Sequence, residues 1–282
     1  MTPNLRGSLF MVASMAGFAV EDMFIKAASR AIPVGEVILL MGLVGTLVFG
    51  LVARAAGDAV LPRAVLSRTM LLRSGFEIVG RLFYALAVAL TPLSVASAIL
   101  QATPLLVVLG AAVIFGERVG VRRWVLILAG FVGVLIILRP GLAGFSALSL
   151  LALVAMAGFA GRDLATRAAP PALTNAQLGV TGFLMLTLSG VIILAVSGGA
   201  RLPDPWALAL LAGASAFGIT AYAALTQAMR LGEVAVVTPF RYTRLLFALA
   251  IGVTVFGERP DAATLAGSAL IVACGVVLLT RR

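Results

Sequence analysis

The side chains in this sequence that could do chemistry are ionisable residues placed inside long apolar runs. An ionisable group within a membrane span is costly unless it is paired or hydrated, so each one is a functional candidate. Four acids and four bases occupy such positions: Glu21, Asp22, Glu77, Arg81, Arg162, Asp163, Arg241 and Arg244. Their equal numbers leave two interpretations open, namely ion pairs that fix helix packing and polar contacts to a substrate.

One face of the third apolar run combines an acid, a base and a phenol. Glu77, Arg81 and Tyr84 are spaced i, i+4 and i+7, which places them on one side of a helix and allows Glu77 to pair with Arg81. Through the internal repeat described below, Arg81 corresponds to Tyr222. An arginine and a phenol that face each other can hold a carboxylate or an aromatic ring.

The ninth apolar run presents Arg241 and Arg244 on one face, with Tyr242 adjacent, and the fourth carries Gln101 near its middle. These polar positions share the property of lying deep within apolar segments. The residues predicted to bind substrate in a central cavity are Glu77, Arg81, Tyr84, Gln101, Tyr222, Arg241, Tyr242 and Arg244.

Two acids, Asp22 and Asp163, occupy equivalent positions near the ends of the first and sixth runs. Each precedes a basic residue by four positions, Lys26 and Arg167 respectively, so pairing within the helix is the favoured interpretation. A role in coupling transport to an ion gradient is the alternative.

Two prolines interrupt apolar runs. Pro104 follows Gln101 by three residues, and Pro239 lies early in the ninth run. Because proline lacks an N–H, it frees a backbone carbonyl and bends a helix, and such breaks line cavities where water or substrate reaches the backbone. We predict hinges at Pro104 and Pro239, with a simple packing kink as the alternative.

The composition requires a membrane around these residues. Of 282 residues, 62% are hydrophobic and 11% are charged, which leaves too little polar material for a water-facing surface. A soluble enzyme, a disordered chain and a nucleic-acid-binding protein are thereby excluded; the net charge of +10 comes from single basic residues at the ends of apolar runs.

Ten runs are long enough to cross a bilayer as helices: Gly7–Lys26, Val34–Ala53, Met70–Leu90, Leu93–Phe115, Arg123–Leu138, Ser146–Arg167, Thr174–Val196, Trp206–Met229, Glu233–Phe256 and Thr264–Thr280.

The chain repeats itself at half its length. Residues 15–28 and 156–169 are identical at eight of fourteen positions, with an offset of 141, and the same offset relates the two FGER motifs at 115–118 and 256–259. We therefore predict two units, 1–141 and 142–282, of five helices each. An odd number of helices makes the second unit enter the membrane from the opposite side, so the predicted fold is an all-α integral membrane protein with an inverted five-plus-five repeat. Inverted repeats are typical of secondary transporters that work by alternating access.

Basic residues at helix ends predict the orientation. With the N-terminus inside, twelve Lys and Arg residues fall on the cytoplasmic side and five on the other, so both termini are expected in the cytoplasm. In the FGER motifs, Glu117 and Glu258 are predicted to stabilise the exposed N–H groups of the helices that follow them.

Three segments carry a family resemblance: TPLLVVLGAAVIFGERVGVRRW (103–124), GFVGVLIILRPG (130–141) and TPFRYTRLLFALAIGVTVFGERPD (238–261). In this order and spacing the chain resembles the EamA family of the drug/metabolite transporter superfamily. The resemblance implies a carrier in a bacterial inner membrane, with a cavity walled mainly by the third, fourth, eighth and ninth helices, most often for efflux of amino acids. Two stretches, GRDLATRAAP and FRYTRLLFA, are also similar to branches described as riboflavin or S-adenosylmethionine permeases.

Other function classes fit the sequence poorly. The chain contains no histidine and no plausible metal cluster or nucleophile–base pair, which argues against a membrane enzyme, and no metal or cofactor is expected. It contains no GxxxxGK[ST] loop, so ATP is not the direct energy source. The expected partners are a small-molecule substrate and the lipid bilayer. No apolar run carries GxxxG, and a monomer is expected.

Overall fold

A computed structural model describes residues 2–115, 120–139, 146–167, 172–231 and 238–280. Within these ranges every regular element is helical. The α-helices are α1 (Pro3–Ala28), α2 (Val34–Ala55), α3 (Arg68–Leu90), α4 (Leu93–Leu100), α5 (Thr103–Phe115), α6 (Val121–Leu138), α7 (Ser149–Arg167), α8 (Asn175–Ser197), α9 (Pro205–Leu231), α10 (Thr243–Phe256) and α11 (Ala262–Thr280). Short 3₁₀ turns cover Arg63–Leu66 and Thr238–Tyr242.

Four described helices are both long and apolar enough to cross a membrane by themselves: α1, α2, α8 and residues Pro205–Ala228 of α9. Large apolar side chains remain exposed along the outer faces, for example Leu47 on α2 and Leu246 on α10. Such faces are stable only against lipid, since a water-soluble protein rarely exposes apolar surface on this scale. The all-helical membrane fold predicted from the sequence is confirmed.

The predicted fourth helix is in fact two helices. Residues 101 and 102 separate α4 from α5 at the position where the sequence predicts a bend. The ninth predicted helix is likewise a 3₁₀ turn, Thr238–Tyr242, followed by α10. The start predicted for that helix, at Glu233, and the boundary predicted between the two units, at residue 141, lie outside the described residues.

If each helix is replaced by its equivalent in the other half, the same pairs of helices are in contact. Helix α1 packs on α9 and α3 packs on α7, and these two pairs are images of each other under the repeat. Three further contacts, α2 with α8, α6 with α11 and α4 with α10, each join a helix to its own repeat partner. This pattern is that of a two-fold relation between the halves.

The direction of the partners shows that the repeat is inverted. Along α2 and α8, Gly35 lies against Leu194, Gly42 against Thr187 and Gly45 against Phe183, so the two helices run antiparallel. At the crossing a Cβ on Gly42 would lie 2.4 Å from the backbone nitrogen of Thr187, so only glycine permits this approach. A two-fold axis that relates antiparallel helices is perpendicular to them and therefore lies in the membrane plane.

Candidate functional site

A cavity of about 100 Å³ lies where the two halves meet. Residues from both halves line it: Met15, Phe18, Glu21, Asp22, Ile25, Ile38, Arg81, Tyr84, Ala85, Val88, Leu100, Gln101, Thr103, Pro104, Phe159, Arg162, Leu186, Tyr222, Leu225, Arg241, Tyr242 and Arg244. Ligand pockets usually enclose roughly 300–1,000 Å³, so this cavity must widen to take a metabolite. Among the described residues, no three acidic or thiol side chains are grouped so as to hold a metal ion.

The Glu77 carboxylate on α3 is the hub of one ion-pair cluster. It is fully buried and lies 3.0 Å from Nε of Arg81, as the i, i+4 spacing predicts, and 3.4 Å from both Arg73 and Arg162. Glu77 itself is absent from the cavity wall, which differs from the sequence prediction. Its position behind Arg81 makes it a counter-charge that holds Arg81 and Arg162 at the cavity.

Asp22 pairs across the two halves. Its Oδ2 accepts hydrogen bonds from Nη2 of Arg244 at 2.7 Å and from the Tyr84 hydroxyl at 2.9 Å. The predicted pairing of Asp22 with Lys26 is therefore wrong. Lys26 instead lies near the end of α3. Its ammonium donates to the Thr91 carbonyl at 2.5 Å and lies 3.6 Å from Glu258. Asp22 thus takes its charged partner from α10 in the other half, while Lys26 has Glu258 as its own counter-charge.

Asp163 extends the Glu77 cluster, because Arg162 contacts both acids. It accepts hydrogen bonds from the adjacent Arg162 at 2.8 and 3.0 Å and lies 3.7 Å from Arg241. The Arg167 side chain predicted to pair with it lies outside the described residues. Asp163 does not line the cavity, so like Glu77 it stands behind arginines that do.

The break between α4 and α5 follows from a missing donor. Pro104 has no N–H for the Leu100 carbonyl, and the hydroxyl of Thr103 donates to that carbonyl instead, at 2.5 Å. The hydroxyl of Thr243, at the start of α10, also donates to a carbonyl three residues earlier, that of Phe240, at 2.7 Å. At each break a threonine hydroxyl thus serves a backbone carbonyl three residues earlier, a local bond that suits interrupted helices at membrane depth.

The two breaks meet in the cavity. The side-chain amide of Gln101 donates to the backbone carbonyl of Arg241 at 3.1 Å, which joins the interruption of the fourth helix to that of the ninth. Discontinuous helices that meet at the repeat interface are a recurring way to build a transporter site. The second predicted hinge residue, Pro239, lies within the 3₁₀ turn before α10, and its side chain is outside the described residues.

Aromatic rings form the other side of the cavity. Tyr222 lines it, donates its hydroxyl to the Leu178 carbonyl at 3.2 Å and packs edge-on against Phe183. The guanidinium of Arg81 lies 5.9 Å from the same Phe183 ring. Arg81 and its repeat partner Tyr222 therefore flank one buried ring.

Several donors at the cavity have no acceptor within the part of the chain that the structure describes. Among the described residues, Arg81 uses only Nε in a hydrogen bond, and no group accepts from its two terminal nitrogens. Arg244 uses Nη2, while its buried Nε and the buried hydroxyl of Tyr242 lack partners within the described chain. Unused donors at a cavity wall suit an acceptor-rich ligand such as a carboxylate.

Two features of the site were not predicted from the sequence. Helix α1 contributes Glu21 and Asp22 to the wall, whereas the resemblance implied walls from the third, fourth, eighth and ninth helices. Glu258 stabilises helix N–H groups as predicted, but those of α4 in the opposite half; Asp261 accepts from the Thr264 amide at the start of α11. Glu117 lies outside the described residues. The adjacent acids at 21 and 22 inside one apolar run were the signal for the first feature.

Comparison with known proteins finds relatives that are named as transporters. The chain is 28% identical to the pseudopaline exporter CntI of Pseudomonas aeruginosa over 280 residues, covering 96% of this chain and 95% of that protein. It is 26% identical to a riboflavin transporter of Vibrio cholerae, with 95% and 91% covered, and 25% identical to an S-adenosylmethionine uptake transporter of Rickettsia bellii, with 67% and 64% covered.

A solved crystal structure shares the fold. It has a TM-score of 0.65 and 20% identity, and the match covers 97% of this chain and 98% of the other. The model of the EamA-like transporter family matches the chain twice, at residues 5–139 and 142–281. The two matches divide the chain near its middle, as do the two helix sets described above. The chain belongs to the EamA-like transporter family.

Proposed function

We propose that this protein is a secondary carrier that exports small amino-acid-type metabolites across a bacterial inner membrane by alternating access, with both termini in the cytoplasm. The observation that carries the proposal is the charged cavity at the seam of two inverted helix sets. In such a fold each half can adopt the conformation of the other, which exchanges an inward-open for an outward-open cavity. In the absence of a nucleotide-binding loop, an ion gradient or the substrate gradient drives the exchange.

The charges of the site favour a carboxylate. Among the described residues, five arginines lie in or directly behind the wall, against four acids: Arg73, Arg81, Arg162, Arg241 and Arg244, and Glu21, Asp22, Glu77 and Asp163. Within this described set the arginines outnumber the acids by one. Glu77 accepts a hydrogen bond from Nε of Arg81 and leaves its two terminal nitrogens in place to donate to the substrate carboxylate.

The aromatic wall suits an apolar substrate side chain. Tyr84, Phe159 and Tyr222 line the cavity, and the Tyr84 and Phe159 rings lie 6.0 Å apart in an edge-on arrangement. Rings in this geometry present both apolar faces and polar edges to a guest. Amino acids with apolar or aromatic side chains therefore head the proposed substrates.

The named relatives support a second candidate, uptake of riboflavin or S-adenosylmethionine. Relatives with those names match this chain at 25–26% identity, slightly below the named exporter at 28%. The cavity also contains stacked aromatic and guanidinium groups, with the Arg162 guanidinium 4.9 Å from the Phe159 ring, which a planar ring system could use.

Counterflow in proteoliposomes distinguishes these candidates. Vesicles preloaded with a standard amino acid, riboflavin or S-adenosylmethionine are mixed with the same compound in labelled form outside. Saturable exchange of amino acids is expected, and exchange of riboflavin or S-adenosylmethionine alone would support the second candidate. An absence of exchange for every compound contradicts the proposal.

A matched pair of variants links exchange to the cavity. Arg81→Gln is expected to reduce amino-acid exchange at least about tenfold, because a charge-assisted contact is worth about 1.5–3 kcal/mol. Arg63→Gln, in the exposed 3₁₀ turn between α2 and α3, removes the same charge away from the cavity and should leave exchange unchanged. Equal effects of the two substitutions would contradict a direct role for Arg81.

A further inference from the structure

Glu21 is an unusual acid in this molecule. Its side chain is buried on α1 and lines the central cavity, yet among the described residues it forms no hydrogen bond and no ion pair. The other buried acids have partners: Asp22 has Arg244, Glu77 has Arg81, and Glu36 accepts a hydrogen bond from the backbone of Arg201. A desolvated carboxylate without a donor is costly, which indicates that its partner arrives with the substrate.

The opposite helix makes room for this carboxylate. Gly218 on α9 faces Glu21, and a Cβ at Gly218 would lie only 2.5 Å from Oε1. The charged groups that act on Glu21 are Arg81 on α3, Arg244 on α10 and the adjacent Asp22, and neither arginine reaches it within ion-pair distance. Glu21, Arg81 and Arg244 therefore line one cavity with no ion pair between Glu21 and either arginine.

The internal repeat relates Glu21 to a residue of opposite charge in the other half. Glu21 corresponds to Arg162 at the offset of 141, and both side chains line the same cavity. Equivalent positions in the two halves thus carry opposite charges, whereas their neighbours Asp22 and Asp163 are the same. This exchange of charge adds to the electric polarity of a cavity whose two walls are related by the repeat.

We propose that Glu21 binds the ammonium group of the substrate, while Arg81 and Arg244 bind its carboxylate, so that Glu21 determines specificity for zwitterionic amino acids. The inference rests on the proposed function and names the substrate class of that same cavity. An ammonium donates hydrogen bonds to the Glu21 carboxylate, and the carboxylate of the same molecule accepts from the unused terminal nitrogens of Arg81. A zwitterion thereby satisfies both walls at once.

Two pairs of compounds that differ only at the ammonium test the proposal: leucine against 2-hydroxyisocaproate, and phenylalanine against 3-phenyllactate. Binding is measured as the rise in melting temperature of the purified full chain in detergent, since a ligand that binds the folded state stabilises it. The unaltered protein should bind each amino acid at least about tenfold more tightly than its hydroxy acid. In Glu21→Gln this preference should disappear while the hydroxy acids still bind.

Two further variants separate recognition from folding. Glu21→Asp keeps the charge and should retain the preference with weaker affinity. Asp58→Asn, in the loop after α2 and remote from the cavity, removes a carboxylate and should change neither affinity nor preference. A Glu21→Gln protein that melts like the unaltered one and still prefers the amino acids overturns the inference, and leaves the proposed function intact. If the unaltered protein neither binds nor exchanges any amino acid, the proposed function fails and this inference fails with it.

Discussion

Glu258 accepts two hydrogen bonds from Ser94, at 3.1 Å from the backbone amide and at 2.8 Å from the hydroxyl. The amide of Leu93 donates to the other carboxylate oxygen at 2.7 Å, and Lys26 lies 3.6 Å away. The glutamate of the second FGER motif therefore caps the first turn of α4, in the opposite half of the chain. This contact joins the halves at one end of the cavity.

Replacement of Glu258 should destabilise the protein strongly. In Glu258→Ala the Lys26 ammonium and the α4 amides lose a common acceptor that is only 10% exposed, so we expect a loss of about 3–5 kcal/mol in the free energy of unfolding. Thermal or denaturant unfolding in detergent measures it. Arg259→Ala, at the exposed neighbouring position, should change stability by less than about 0.5 kcal/mol. Similar losses in both variants would show that the turn, and not the cap, is responsible.

The break at Pro104 should matter more for the rate of transport than for stability. In Pro104→Ala an N–H becomes available to the Leu100 carbonyl, which Thr103 now serves, so α4 and α5 can join into one straight helix. We expect unchanged or slightly higher melting temperature and slower counterflow. Thr103→Val is the companion variant: it leaves that carbonyl without a donor and should cost about 1–3 kcal/mol of stability. Normal transport by Pro104→Ala removes the hinge interpretation.

The orientation of the halves is open to chemical labelling. Arg63 lies in the loop between α2 and α3, and Arg201 lies in the equivalent loop between α8 and α9. Because the repeat is inverted, Arg63→Cys should react with a membrane-impermeant thiol reagent only from the cytoplasm, and Arg201→Cys only from the outside. The native Cys274 is buried, so the unaltered protein is the background control. Labelling of both sites from one side contradicts the inversion.

The sequence was sufficient to predict the fold because the controlling features are periodic or repeated. Span length is set by bilayer thickness, and five helices per repeat require the second repeat to be inverted. The interruption of the fourth helix was also predictable, because Pro104 removes a specific N–H donor. The exact ends of the helices depend on capping and packing, and for this reason α1 begins at Pro3, four residues before the predicted start.

The partners of the charges could not be predicted in the same way. Spacing rules detect only neighbours on one helix, so they correctly predict Glu77 with Arg81 but assign Lys26 to Asp22. The partner of Asp22 lies 222 positions away, and that of Glu258 lies 164 positions away. The choice of partner depends on how the two halves pack, and spacing along one helix carries no information about that packing.

Stability in acid should depend on Asp261, which lies outside the membrane spans at the start of α11. The amide of Thr264 and the guanidinium of Arg139 both donate to its carboxylate and lower its pKa from 3.8 to about 2. A lowered pKa stabilises the fold above the ordinary pKa of 3.8, and this stabilisation is lost as the pH falls towards about 2. Since the side chain is 51% exposed, solvent screening limits the effect to less than about 1 kcal/mol.

Substitution of Asp22 and Arg244, singly and together, is the sharpest test of the packing between the two halves. Asp22→Asn leaves a buried guanidinium without its counter-charge, and Arg244→Gln leaves a buried carboxylate with only Tyr84, so each should lose about 3 kcal/mol of unfolding free energy. In the double variant neither charge remains, and its loss should be smaller than the sum of the two by at least about 1.5 kcal/mol. Unfolding in detergent measures all three proteins. Losses that simply add would show that Asp22 and Arg244 act independently, and their contact could then no longer account for the joining of α1 to α10.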